Sequence, residues 1–266
     1  MKFEFKKKYG QNFLTDKNLL ASIVALSGVK SEDVVLEIGP GAGALTKAIA
    51  SAAHKVVSFE IDRELEPILK ENLAEQSNSQ IVFKDFMKVS DEEIETLVGK
   101  DYLVIANLPY YITSPILFRF FELEHKPKSL TIMVQKEYGE RLVADAGESE
   151  YSSLSVLAKM LGTAKIVKNV PRHMFTPVPK VDSCIVHFEF NNKLYDKDMA
   201  LFIRNCFKMR RKTLVNNLSS SYDLSKNRIQ EILKNNQINI TARAEDLSLS
   251  QFTDIYNSIK KLNFAF

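Results

Sequence analysis

The chain has 266 residues, of which 45% are apolar and 26% charged. That is the balance of a folded globular protein, and it excludes disorder, collagen and coiled-coil arrays. With 36 Lys and Arg against 33 Asp and Glu, the net charge of +3 selects no partner by itself. Two cysteines, Cys184 and Cys206, cannot build a disulfide framework, no Cys/His spacing suits zinc, and no apolar run reaches transmembrane length.

The N-terminal stretch from Met1 to Leu14 lacks the apolar core of a secretory signal. A cytoplasmic protein without metal or membrane attachment is therefore expected; a monomeric state is a separate expectation that does not follow from this stretch. Lys6, Lys7 and Lys8 form a basic cluster there. Val34–Ile38, Lys55–Glu60, Ile81–Lys84, Tyr102–Ala106 and Ser129–Val134 then read as strands, short and β-branched. Helical patterns lie near Leu19–Leu26, Leu45–Ala53, Arg63–Ala74, Asp91–Leu97, Pro115–Leu123 and Tyr138–Ala144, so crossover units and a parallel sheet covered on both faces are expected. After a helix at Leu154–Leu161, the runs Ala164–Val170 and Val181–Phe190 predict an antiparallel pair closing that sheet. The polar stretch Asn191–Asp198 reads as a linker, and the remainder as helical. A first domain of residues 1–190 and a small helical domain of 191–266 follow from that change of pattern.

Glu37-Ile38-Gly39-Pro40-Gly41-Ala42-Gly43 stands where the first of these five strands passes into a helix. Glycines there let the backbone turn tightly and approach a ligand. Glu60 ends the next strand, twenty-one residues after Gly39, where a carboxylate can accept both hydroxyls of a ribose. The pair describes an adenosine-containing cofactor at the carboxyl edge of the sheet. The loop reads E-x-G-x-G-x-G, not the G-x-G-x-x-G of dinucleotide sites, and resembles the S-adenosyl-L-methionine-dependent methyltransferases. A pocket holding Glu37, Glu60 and Asp85 also suits a cationic sulfonium better than a pyrophosphate.

Asn107-Leu108-Pro109-Tyr110 closes the fourth of the five strands and resembles the signature of amino-directed nucleic acid methyltransferases. An exocyclic amine of adenine is a weak nucleophile because its lone pair is delocalised into the ring. Acceptors on its two hydrogens, the Asn107 side-chain carbonyl and the Leu108 backbone carbonyl, let the nitrogen pyramidalise. Pro109 fixes φ and aims the turn, and Tyr110 offers a flat face to a flipped base. In the tail, Arg204, Lys208, Arg211 and Lys212 recur at helical spacing, beside an apolar stripe of Ile203, Phe207, Leu214 and Leu218. A basic stripe is by default a solvated face; next to a packed one it also fits phosphate tracking along RNA.

Tyr9–Leu14, the glycine loop, Asn107–Tyr110 and Phe175-Thr176-Pro177-Val178-Pro179-Lys180-Val181-Asp182-Ser183 occur in order, and together they resemble the rRNA adenine dimethyltransferase superfamily. In the tail, Phe207–Leu214, Asn217-Leu218 and Arg243–Ser248 resemble its small-subunit (KsgA-type) branch more than the macrolide-resistance branch. The resemblance implies a Rossmann-like class I methyltransferase domain with a small C-terminal all-helical domain, and S-adenosyl-L-methionine as cofactor. It further implies dimethylation of two adjacent adenosines near the 3′ end of 16S rRNA, on the small ribosomal subunit. Asn12, Leu14, Gly39, Gly41, Glu60, Asp85 and Asn107 would line the cofactor pocket, while Tyr110 and Phe175 would sandwich the target base. Lys6, Lys7, Lys8, Arg204, Lys208, Arg211 and Lys212 would meet RNA. The other readings are a large-subunit methyltransferase and a non-catalytic ribosome assembly factor.

Overall fold

The computed structural model describes residues 13–14, 16–191 and 195–262. After β1 (Phe13–Leu14), α1 (Lys17–Ser27) starts on Asp16, whose carboxylate accepts the Leu19 N–H at 2.8 Å. Strands and helices then alternate as β2 (Val34–Ile38), α2 (Ala44–Ala50), β3 (Lys55–Glu60), α3 (Glu66–Asn72), β4 (Ser79–Phe83), α4 (Asp91–Val98), β5 (Tyr102–Asn107), α5 (Thr113–Glu122) and β6 (Ser129–Gln135). The acidic run Asp91, Glu92 and Glu93 forms the first turn of α4 under a Ser90 cap, where carboxylates meet the positive end of the helix dipole. Next come α6 (Lys136–Val143), α7 (Ser153–Leu161), β7 (Gly162–Val170), β8 (Phe175–Thr176) and β9 (Ser183–Phe190). The tail supplies α8 (Lys197–Cys206), α9 (Leu214–Ser221), α10 (Lys226–Asn235) and α11 (Leu249–Lys260).

By its own contacts the chain forms two units. One runs to Gly139 and resumes at Ala164; the other takes Glu140–Thr163 and the chain from Leu194. The first holds a seven-stranded sheet in the order β4-β3-β2-β5-β6-β9-β7. β4, β3, β2, β5 and β6 pair in parallel and β9 runs antiparallel to β6. Strand order reverses between β2 and β5, and the crevice outside the carboxyl ends of such a pair is where open α/β sheets bind ligands. Successive side chains alternate between faces. Val35 and Val56 join Ile23 of α1 and Ile49 of α2 in a fully buried cluster. Phe59 points the other way, onto Phe86, whose ring meets Phe120 of α5 at 5.1 Å between centroids. A separate two-stranded pairing joins β1 to β8, with Leu14 opposite Phe175.

The second unit is helical and centred on aromatic rings. Phe207 contacts Tyr151 and Phe252, and Phe202 meets Tyr256 at 5.7 Å. Two expectations change here. Chain continuity places the segment holding α7 in the first domain, but it groups with the tail. Tyr151 is buried, and its hydroxyl donates to the Leu247 carbonyl at 2.9 Å across ninety-six residues of chain. The tail stripe does not lie on one helix either. α8 ends at Cys206, and Arg204 is its only member of the four. Lys208, Arg211 and Lys212 sit in the turn before α9. Asn217, buried in α9, explains the break: its Oδ1 accepts the Met209 N–H at 2.9 Å and its Nδ2 donates to the Met209 carbonyl at 3.2 Å. Side-chain pairing to both groups of one residue holds a turn where helical spacing suggested a continuous helix.

Candidate active site

A cleft of about 1210 Å³, counting the part open to solvent, lies at the switch point between β2 and β5. Its walls include Gly39, Gly41, Glu60, Asp85, Asn107, Leu108, Pro109 and Tyr110, so the strand-end motifs read from the sequence meet in one place. Gly39 and Gly41 have φ of 70° and 59°, a left-handed backbone that favours glycine. A Cβ built on Gly39 would lie 3.8 Å from the ring carbons of Pro109. The glycine turn therefore faces Pro109, with room for one added carbon between them.

Three carboxylates border this cleft, each held differently. Glu37 is 1% exposed, and its Oε2 accepts the hydroxyls of Thr46 and Ser58, both at 2.7 Å. Burial pushes its carboxyl up to about 7, against the lowering effect of those two hydrogen bonds and with a small push from Glu60. Glu60 is raised for the same reason, burial. Its Oε1 accepts the Asp62 N–H at 2.8 Å and its Oε2 the Gly41 N–H at 3.3 Å. Each carboxylate oxygen has a second lone pair, so these bonds aim the group and leave acceptor capacity. Asp85 caps the short 3-10 turn Phe86–Lys88 by accepting the Met87 N–H at 3.0 Å. It is thus a capping residue and a wall of the cleft at once.

At the other side, Asn107 ends β5 opposite Met133 of β6, and the Leu108 N–H donates to the Met133 carbonyl at 3.2 Å. Pro109 opens the 3-10 turn Tyr110–Ile112, and its carbonyl accepts the Ile112 N–H and the Thr113 hydroxyl, both at 3.1 Å. The turn that presents Tyr110 is therefore rigid. Tyr110's hydroxyl lies 2.6 Å from that of Ser183.

Not every expected residue comes to the cleft. Phe175 is 1% exposed and belongs to the core cluster with Leu20, Met133 and Ile185. Phe175 is not among the described residues that line the cleft. Asn12, Lys6, Lys7 and Lys8 lie outside the described residues, and of Leu14 only its strand pairing is described. Among the tail cations, Lys208, Arg211 and Lys212 are exposed and make no ion pair among the described residues. The neighbouring Arg210 instead donates to the Ser149 carbonyl at 2.8 Å. Sequence reasoning missed Thr46, Ser58 and Ser183. Ser58 and Ser183 carried a signal, since a hydroxyl inside an otherwise apolar buried strand implies a buried partner.

Comparison with known proteins agrees with this arrangement. The family described as Ribosomal RNA adenine dimethylase matches residues 2–261. The chain belongs to that family. A relative in Mesoplasma florum, named Ribosomal RNA small subunit methyltransferase A, is 42% identical over 98% of this chain and all of its own length. The protein of the same name in Bacillus mycoides is 42% identical over 97% of this chain and 92% of its own. Among solved structures, a dimethyladenosine transferase from Plasmodium falciparum superposes with a TM-score of 0.80 at 26% identity, covering 95% of this chain and 98% of that one. The 23S rRNA methyltransferase ErmE gives 0.72 at 26% identity, covering 94% and 100%. This dimethylase has no helix long and apolar enough to cross a membrane, and no metal-ligand cluster, among its described residues.

Proposed function

We propose that this dimethylase is the small-subunit enzyme of its family and transfers methyl groups to the exocyclic amines of two adjacent adenosines near the 3′ end of 16S rRNA, two to each. What carries the reading is that the glycine turn and the Asn107–Tyr110 turn face one another on the walls of one cleft. A cofactor-binding loop and an amine-orienting loop are useful together only if a group passes between their ligands.

The donor set fits S-adenosyl-L-methionine. Glu60, aimed by two backbone N–H groups, would accept from the ribose hydroxyls, and Asp85 from the adenine amino group. Gly39 and Gly41 allow close backbone approach, and the buried Glu37, its carboxyl pushed up to about 7, adds negative charge behind them as pH rises through that value. When bound, the cofactor supplies an electrophilic methyl on a positively charged sulfur. Asn107's side-chain carbonyl and the Leu108 carbonyl hold the amine hydrogens, so the nitrogen lone pair is freed from the ring. Tyr110 stacks the flipped base, a contact worth ~1–3 kcal/mol. The amine sheds its proton after the N–C bond forms, when it is acidic, so no side chain of tuned basicity is required. Positioning supplies most of the catalysis.

The exposed cations Arg204, Lys208, Arg211 and Lys212 would bind rRNA phosphates, with Lys6–Lys8 extending that contact. The protein acts as a cytoplasmic monomer in this reading. Its domains in this reading are residues 1–190, less the segment 140–163, for cofactor and chemistry, and that segment with 191–266 for RNA.

The test is transfer from labelled S-adenosyl-L-methionine to unmethylated small subunits, followed by nucleoside analysis and primer-extension mapping. Dimethyladenosine at the small-subunit 3′ end is expected, and Asn107→Ala should abolish transfer while the protein still associates with the subunit. Labelling of large-subunit RNA alone, or cofactor binding without transfer, would replace this reading with one of its alternatives.

A further inference from the structure

Tyr110 borders the cleft on a rigid turn, yet its ring extends from that turn on two rotatable torsions. Its hydroxyl, 2.6 Å from Ser183 Oγ, anchors the far end. The two residues are seventy-three positions apart and meet through strand register. Asn107 of β5 stands opposite Met133 of β6, Met133 opposite Ile185 of β9, and Gln135 opposite Ser183. The carboxyl ends of β5 and β6 and the first residue of β9 therefore share one edge of the sheet, the edge where the cleft opens.

Ser183 is 0% exposed. A buried hydroxyl needs a protein partner, and the ladder with β6 fixes where this one points. We infer that Ser183 is a positioning residue for the methyl transfer: its hydroxyl fixes the direction of the Tyr110 ring axis and so pre-sets the face on which the target base stacks. This inference rests on the proposed reading of Tyr110 as the stacking surface. Burial pushes the Tyr110 phenol up, so it stays neutral across the working pH range, and either hydroxyl of the pair can donate. Anchoring the ring before RNA arrives removes ordering that binding would otherwise have to bring about.

The test uses the full chain, unmethylated small subunits and labelled S-adenosyl-L-methionine. Ser183→Ala and Tyr110→Phe should each lower kcat/KM for the RNA about five-fold, the size of one net hydrogen bond. Cofactor Kd should be unchanged, and the double variant should be no worse than either single one. RNA carrying 2-aminopurine at the target position should fluoresce more brightly with Ser183→Ala than with the parent protein, a signature of looser stacking that a purely structural serine would not produce. Additive losses in the double variant, or single variants as active as the parent, overturn the inference. Should Ser183→Ala fail to fold, Tyr110→Phe removes the same bond from the other side and decides alone. Tyr110→Ala separates the two levels of the argument. If it transfers normally, the stacking role itself falls. If it is crippled while Ser183→Ala and Tyr110→Phe are normal, only the anchor falls.

Discussion

The buried carboxyl of Glu37 makes a prediction whose sign and size both follow from its surroundings. Its pKa is near 7 in the folded protein against 4.5 for an unperturbed glutamate. The folded state thus binds more protons than the unfolded state between those values, and stability must fall as pH rises through that window. The difference of about 2.5 pH units corresponds to about 3 kcal/mol, lost between roughly pH 4.5 and 7 and constant above it. Glu37→Gln removes the titration and keeps an oxygen that can accept from Thr46 and Ser58. Glu60 titrates in the same sense, so the quantity to measure is the difference between the two proteins. Urea unfolding at half-unit steps from pH 5 to 8.5 gives it. Relative to the parent, Glu37→Gln should gain about 2–3 kcal/mol of stability on going from pH 5 to pH 8. A difference that stays flat across that range refutes the account of a carboxyl held neutral by burial. The same ionisation has a functional face. Affinity for cationic S-adenosyl-L-methionine should rise through pH 7 more than affinity for S-adenosylhomocysteine, which lacks the sulfonium charge, and Glu37→Gln should remove that gap.

Gly139 in α6 packs against β9 so closely that an added Cβ would overlap Cys184 Sγ and lie 3.2 Å from Val186 Cγ2. Gly139→Ala should cost about 1–3 kcal/mol, read as a lower thermal midpoint, and Cys184→Ala in the same chain should recover most of it; no recovery would locate the strain elsewhere. Arg211→Glu should weaken RNA binding and flatten its dependence on salt by about one to two in log–log slope, measured by filter binding at several salt concentrations. Cofactor affinity in that variant should not move, and a change there would place Arg211 in the wrong site.

How much of this was legible in the sequence depends on whether local or distant residues decide each feature. β2 and β3 keep the bounds expected of them, because both are interior strands buried along nearly their whole length. β4 starts two residues and ends one residue before the expected Ile81–Lys84. It is an edge strand, and it starts at Ser79 because that residue pairs with Val56 of β3, not because of its own composition. The glycine turn, Glu60, Asp85 and Asn107–Tyr110 were legible because each is a strand end, and strand ends of a parallel sheet converge on one edge whatever lies between them.

The misplacements share a different cause. Helical spacing at Arg204–Lys212 gave no hint of the turn there, since the residue that enforces it is Asn217, on the following helix, and its role is to bond another segment's backbone. Chain order placed Leu154–Leu161 with the sheet, yet the decisive contact is Tyr151 with Leu247. Polar side chains that satisfy distant backbone or hydroxyl groups leave only a faint sequence trace, a hydrophilic residue where the pattern asks for an apolar one. Ser58, Ser183 and Asn217 all fit that description: each is buried, and each is paired with a group from another segment. Misfit polar positions in buried elements are thus the places to look for the contacts that orient a site, as Ser183 does for Tyr110 and Ser58 for Glu37.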